Sequence, residues 1–252
     1  MLHALLVAWL AALAVPQAAG TPLDVAALTT SAPVVVMEID AGKLKGDPRQ
    51  LAWAPDGQTL YLQTAEGVPP TFTLHHYSIA LAGGALTPVE AEPGWAVEYW
   101  NVKQDRVAPG VPSLVLSVEQ KEENTQAGPG TSPDAVMAGN PTPDNLASGH
   151  HGDHKAHVVR LRLLNEEVGV WIDEPFNAGM KFGWGPSGSG AIVHVDGKGQ
   201  LVLFDQHRHR QVIVAVKDAL LPAWTLDGTR LAYLQKTGRK TYAVAWTGVM
   251  PR

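Results

Sequence analysis

One short pattern recurs along this chain and limits its fold more than any other feature. Trp53-Ala54-Pro55-Asp56-Gly57 is followed by the apolar stretch Leu60 to Leu62. Trp184-Gly185-Pro186-Ser187-Gly188 is followed by Ala191 to Val195, and Trp224-Thr225-Leu226-Asp227-Gly228 by Leu231 to Leu234. In each copy an Asp or Ser stands three residues after the Trp, and a Gly four after it. The physical reading is a strand that ends at the Trp, a tight turn, and an antiparallel return strand. Glycine supplies the positive φ of the turn, and the Asp or Ser side chain accepts from the turn amides. The Trp is a large apolar plate with one N–H donor, suited to the space between adjacent sheets.

A fourth, degenerate copy is expected to start at Val97-Glu98-Tyr99-Trp100. Its turn is lengthened through Val107 to Pro112, and its second strand is expected at Ser113 to Val118. The Trp separations are then 47, 84 and 40 residues. Two of them match one propeller blade of roughly 40–50 residues, and the long one matches a blade plus an insertion. The insertion shows in the composition. Glu119 to about His154 carries Glu119-Gln120-Lys121-Glu122-Glu123-Asn124, Gly128-Pro129-Gly130, Pro133, Pro141 and Pro143. Such a stretch lacks the branched apolar residues of a core strand, so a disordered or mobile insertion is expected at about 120–156.

Further strands are expected at Thr71 to Ala80, Ala85 to Glu90, His157 to Leu164, Val168 to Asp173, Gln200 to Asp205, Arg210 to Val216 and Lys240 to Trp246. The last unit then lacks an outer strand, while Val34 to Ile39 is a strong strand with no sheet of its own. Ring closure by this N-terminal strand solves both problems and removes open edges. The expected fold is therefore all-β: a small β-propeller, residues 21–252, of four blades of four antiparallel strands. Five blades are the alternative, should residues 21–48 supply more than one strand.

The three Trp-to-Gly segments resemble the Trp-Ser-Pro-Asp-Gly signature of TolB-like propeller repeats, and the resemblance recurs over most of residues 33 to 250. It implies a β-propeller. Six or more blades are usual in that family, so this chain departs from it in size. Repeats of this kind serve many functions, so the resemblance bears on fold rather than on activity.

The N-terminus bears on location. Ala4 to Val15 is apolar, Pro16 ends the run, and Ala18-Ala19-Gly20 offers small residues at a cleavage point. Residues 1–20 are expected to be a secretory signal peptide, giving a periplasmic or secreted protein. No later run approaches the length of a membrane span, so no transmembrane segment is expected in the mature chain. The chain has no cysteine, which excludes disulfides, thiolate metal sites, thiol nucleophiles and a lipoprotein anchor. A net charge of −5 argues against nucleic acid as a partner. Another envelope protein or a small ligand is the expected partner.

Possible chemistry is concentrated in His150-His151-Gly152-Asp153-His154-Lys155-Ala156-His157. Imidazole nitrogens and a carboxylate bind Zn²⁺, Cu²⁺ or Ni²⁺. His150, His151, Asp153, His154 and His157 are therefore the candidate metal ligands, with Zn or Cu the expected ion. His151, His154 and His157 would share a face if the segment were helical. His207 and His209, flanking Arg208 in a polar turn, are a weaker pair. His75 and His76 should point to opposite faces of a strand, and His194 reads as a structural strand residue. Gly185 to Gly190 is neither a nucleophile elbow nor a phosphate loop, because the required Gly and Lys positions are not met. Asp56 and Asp227 read as turn-makers. No catalytic residue is assigned. The leading expectation is a non-enzymatic binding or scaffold protein. A propeller-type hydrolase or lyase at the tunnel mouth is the alternative, to be favoured by three or more His, Asp or Glu converging there.

Overall fold

The computed structural model describes residues 23–68, 71–125, 154–165, 170–175, 182–214 and 218–252. The N-terminal segment makes a 3₁₀ turn (Val25–Ala27), then strands β1 (Leu28–Thr30) and β2 (Val34–Asp40). The first sheet follows as a meander of β3 (Asp47–Trp53), β4 (Thr59–Val68), β5 (Thr71–Ala80) and β6 (Ala85–Val89). After it comes helix α1 (Gly94–Lys103). The second sheet comprises β7 (Val107–Ala108), β8 (Val111–Thr125), β9 (His154–Asn165) and β10 (Val170–Pro175). The third comprises β11 (Gly183–Trp184), β12 (Ala191–Val195), β13 (Leu201–Asp205) and β14 (Arg210–Val214). The last is built on β15 (Ala219–Trp224), β16 (Arg230–Gly238) and β17 (Thr241–Pro251). Every strand pair in these sheets is antiparallel.

The N-terminal segment completes the last sheet. β2 pairs with the first half of β17, from Thr241↔Asp40 to Trp246↔Val34. β1 pairs with its second half, from Thr30↔Val249 to Leu28↔Pro251. Residues 21–48 thus supply two complete strands ahead of β3, and both join the last sheet rather than making a blade of their own. One physical reason is length: β17 runs for 11 residues, too long for β2 to cover alone.

Burial follows from stacking between neighbouring sheets. Every residue of β12 and β13 is buried, because both faces of the sheet are covered. These strands accordingly read as unbroken apolar runs rather than alternating ones. Trp53, Trp184 and Trp224 are each at most 1% exposed, at the ends of the three inner strands β3, β11 and β15. Burying an aliphatic or aromatic side chain of this kind contributes roughly 1.5–3 kcal/mol. The last sheet meets the first directly, as the Trp53 indole Nε1 donates to the Ala223 carbonyl at 2.8 Å.

The degenerate fourth copy is corrected by the structure. Trp100 lies not on a strand but in α1, and the inner strand of the second sheet is the two-residue β7. The reason is legible in the segment: with no Asp-Gly to turn the chain, local spacing prevails. Ala96, Tyr99, Trp100 and Lys103 are the buried positions, spaced i, i+3, i+4, i+7 along one helical face. α1 packs among the inner strands. Trp100 Nε1 donates to the Leu51 carbonyl at 3.3 Å, Tyr99 Oη to the Trp224 carbonyl at 2.7 Å, and Lys103 Nζ to the Gly185 carbonyl at 2.7 Å.

The expected insertion is narrower at both ends. Backbone pairing between β8 and β9 continues outward to Thr125↔His154, so residues 120–125 and 154–156 belong to strands. The remainder of that stretch, 126–153, is outside the described residues. Residues 1–20, expected as a signal peptide, are also outside them.

Candidate functional site

An antiparallel meander alternates ends, so the first and third turns of each sheet share one end. That end carries the Trp-to-Gly turns. The glycines take the left-handed conformation the sequence requires: φ +61 at Gly57, +77 at Gly188 and +76 at Gly228. Asp56 Oδ1 accepts from the Gln58 and Thr59 amides at 2.8 and 3.0 Å, and Asp227 Oδ1 from the Thr229 amide at 3.0 Å. Both acids are therefore turn-makers, as expected. Hydrogen bonds from Gln58 and Thr59 hold the Asp56 carboxyl below its ordinary range. For Asp227, burial opposes ionisation. Bonds from Thr225 and Thr229 and the Arg230 charge outweigh it, and the carboxyl again titrates low.

The turns bear on one another. Arg230 Nη2 donates to the Gly57 carbonyl at 2.7 Å, joining the last sheet to the first. Its guanidinium stands 4.8 Å from the centre of the Trp53 ring and 5.6 Å from that of Trp246, a cation–π seat. Pro186 of the third sheet's turn is pressed against Gly228, where a Cβ would lie 2.1 Å from Pro186 Cγ. The Gly188 amide donates to the Pro109 carbonyl at 2.7 Å, linking the third sheet to the second. Between the first and last turns lies an open cleft of about 190 Å³ lined by Ala54, Pro55, Asp56, Gly57, Thr225, Leu226, Asp227 and Arg230.

Beneath these turns Lys103 is 2% exposed. Burial pulls its ammonium down to a pKa of about 8, partly countered by the nearby Asp227 charge. A second polar group lies on the first sheet, where Tyr61 Oη meets His76 Nδ1. Burial, with the Glu92 charge, pushes the Tyr61 phenol up to about 12.

The sequence-derived candidates fall as follows. His150, His151 and Asp153 lie outside the described residues. His154 and His157 are on β9, whose backbone is extended, so the helical spacing that would align them is not the one found there. Their side chains are outside the description. His75 bonds Glu66 and His76 bonds Tyr61. His194 is fully buried on β12, its ring 6.0 Å from that of Phe204. Gly185 to Gly190 is the third sheet's own turn, closed by Gly185 N to Ala191 O at 2.8 Å. His207 and His209 occupy the β13–β14 turn. His209 there meets Asp205 and Asp24, neither of which the sequence singled out as ligands. The Asp205-to-His209 spacing was visible; the approach of Asp24, 181 residues before Asp205, was not.

The fold defines the class: a β-propeller in which antiparallel sheets meet at their inner strands and the N-terminal segment completes the last sheet. No family model and no curated protein matches the chain. Solved structures to which it is similar include TolB from Acinetobacter baumannii, at 10% identity and a TM-score of 0.32, covering 82% of this chain and 44% of that one. An oligogalacturonate lyase in complex with manganese is matched at 10% identity and a TM-score of 0.29, covering 82% and 48%. Sqt1 from Chaetomium thermophilum is matched at 12% identity and a TM-score of 0.21, covering 80% and 43%. The chain thus spans less than half the length of each. Among the described residues, no helix is long and apolar enough to cross a membrane.

Proposed function

We propose that this chain is an exported, non-enzymatic β-propeller that acts as a binding or scaffold protein, engaging an envelope protein or small ligand at its turn-bearing end. The observation that carries this reading is the mutual bracing of the turns. Arg230 to Gly57, Gly228 against Pro186, and Gly188 to Pro109 make one firm platform out of loops that would otherwise move separately. Loops held on a rigid scaffold are where recognition resides. The cleft between Asp56 and Asp227 offers two ionised carboxylates beside exposed Leu226, a surface suited to a basic or amide-bearing group with an apolar neighbour.

Export rests on the apolar run and small-residue cleavage point within residues 1–20. The His-rich residues 150–157 add a second proposed activity, binding of Zn²⁺ or Cu²⁺, which rests on their chemistry alone.

Site-specific photo-crosslinking tests the platform. A crosslinking residue at Leu226 should give a discrete adduct in envelope extract. The same residue at Arg239, in the β16–β17 turn at the opposite end, should not. Equal adducts from both positions, or none from Leu226, would remove the turn-bearing end as the binding surface.

A further inference from the structure

The β13–β14 turn brings metal-ligating groups from two remote segments to one point. The turn runs Asp205 to His209, with Arg208 at φ +69. Asp205 has its side chain 1% exposed, and Oδ1 accepts from the His207 and His209 amides at 2.8 and 3.0 Å. Its Oδ2 accepts from the Val25 amide at 3.0 Å. On the other side Asp24 caps the 3₁₀ turn, Oδ1 accepting from the Ala26 amide at 2.9 Å. Between the two carboxylates stands His209. Its Nδ1 is 3.0 Å from Asp205 Oδ2 and 3.0 Å from Asp24 Oδ1.

A single ring nitrogen thus faces oxygens of two carboxylates. One N–H is directional and serves only one acceptor well. The carboxylates, drawn to the same atom, repel each other. Each of the two oxygens already accepts one backbone amide and keeps a second lone pair. The three ligand atoms lie within 4.8 Å of one another. In a tetrahedral shell with bonds of about 2.1 Å, neighbouring ligand atoms stand about 3.4 Å apart, near the 3.0 Å that separates His209 Nδ1 from each carboxylate oxygen. The His207 ring, with its centre 6.2 Å from that of His209, lies on the same turn but outside this group. Entry is open: the Asp24 and His209 side chains are 56% and 43% exposed.

We propose that Asp24, Asp205 and His209 form a divalent-cation site for a borderline ion such as Zn²⁺. Imidazole and carboxylate together suit that class of ion. The ion relieves the carboxylate repulsion and fixes the N-terminal segment against the third sheet. Asp24 immediately precedes the 3₁₀ turn that leads into β1, and β1 pairs with the end of β17. The site is therefore a clasp on ring closure, and metal affinity becomes folding stability. It is distinct from the His-rich residues 150–157.

The test uses the full mature chain with His150, His151, His154 and His157 changed to Ala, so that the His-rich segment contributes no ligand. Zn²⁺ titration by calorimetry should show one saturable site per chain. Excess Zn²⁺ should also raise the unfolding temperature. Adding His209→Gln should weaken binding at least tenfold and abolish the thermal shift. Asp24→Asn should do the same while its side-chain oxygen still accepts from the Ala26 amide, so the cap of the 3₁₀ turn is kept. A parent with no saturable Zn²⁺ binding, or an affinity unchanged in both variants, would overturn the proposal.

Discussion

Arg230 donates from Nη2 to the carbonyl of Gly57 at 2.7 Å, so the turn opening the last sheet is bonded to the equivalent turn of the first across a sequence separation of 173 residues. The same guanidinium lies over Trp53, the residue at the end of the inner strand that the Gly57 turn terminates. One side chain thus joins the two ends of the ring. Arg230→Met should lose both the charged hydrogen bond and the cation–π contact, a cost of about 2–3 kcal/mol by chemical denaturation. Arg230→Lys keeps the charge but not the planar fork, and should recover less than half of that. Equal stability of Arg230→Met and the parent would show that the last and first sheets are held by packing alone.

Gly228 combines a positive φ with contact. Gly228→Ala should lose about 1–3 kcal/mol from backbone strain, with more from displacing Pro186. Gly83 is the matched control: its φ is +83, but nothing lies within 4 Å of its Cβ position. Gly83→Ala should lose the backbone share only. Similar losses in urea melts of the two variants would mean that the contact between turns contributes nothing.

Lys103 links stability to alkaline pH. Its folded pKa, about 8, lies below its ordinary value of 10.5 because burial disfavours the ammonium. Between those two values the unfolded chain binds a proton that the folded chain does not. Stability from this group therefore rises as pH increases from about 8 to 10.5, by up to roughly 3 kcal/mol. Lys103→Met has no such proton to lose. The difference in unfolding free energy between parent and variant should shift in the parent's favour across that window. A constant difference would show that Lys103 keeps its proton in the folded state.

The N-terminal strands protect β17. A chain starting at Gly42 lacks β1 and β2 and leaves all 11 residues of β17 as an open edge. Such edges pair with other chains. Light scattering after size-exclusion chromatography should show the truncated chain associating, whereas one starting at Leu23 stays monodisperse. A monodisperse truncated chain would mean that the edge is shielded in some other way.

Much of the fold was legible because its unit is local. Trp53 to Gly57, Trp184 to Gly188 and Trp224 to Gly228 each hold strand end, turn and return strand within a dozen residues. Strand β5 and strand β12 fall at the expected bounds for the same reason. Closure by Val34 to Ile39 was also legible, since an unpaired outer position and an unplaced strand leave little choice. The second sheet was misread at Trp100. There the residue type suggested another repeat, while the helical spacing of Ala96, Tyr99, Trp100 and Lys103 pointed elsewhere. The ligand constellation was half legible: His207 and His209 stood out, but Asp205 read as a strand end and Asp24 as nothing at all.

The repeating strand-turn-strand unit is written in the chain itself, because turn chemistry depends on adjacent residues: the Asp or Ser, the Gly and the apolar residues beside them. Tertiary structure alone decided which turns would touch, that α1 would stand among the inner strands, and that Asp24 would reach His209. Those pairings depend on how sheets stack around a closed ring, and stacking joins residues with no shared local signal. Arg230 against Gly57 and Asp24 against His209 are consequences of closure, which no single segment encodes.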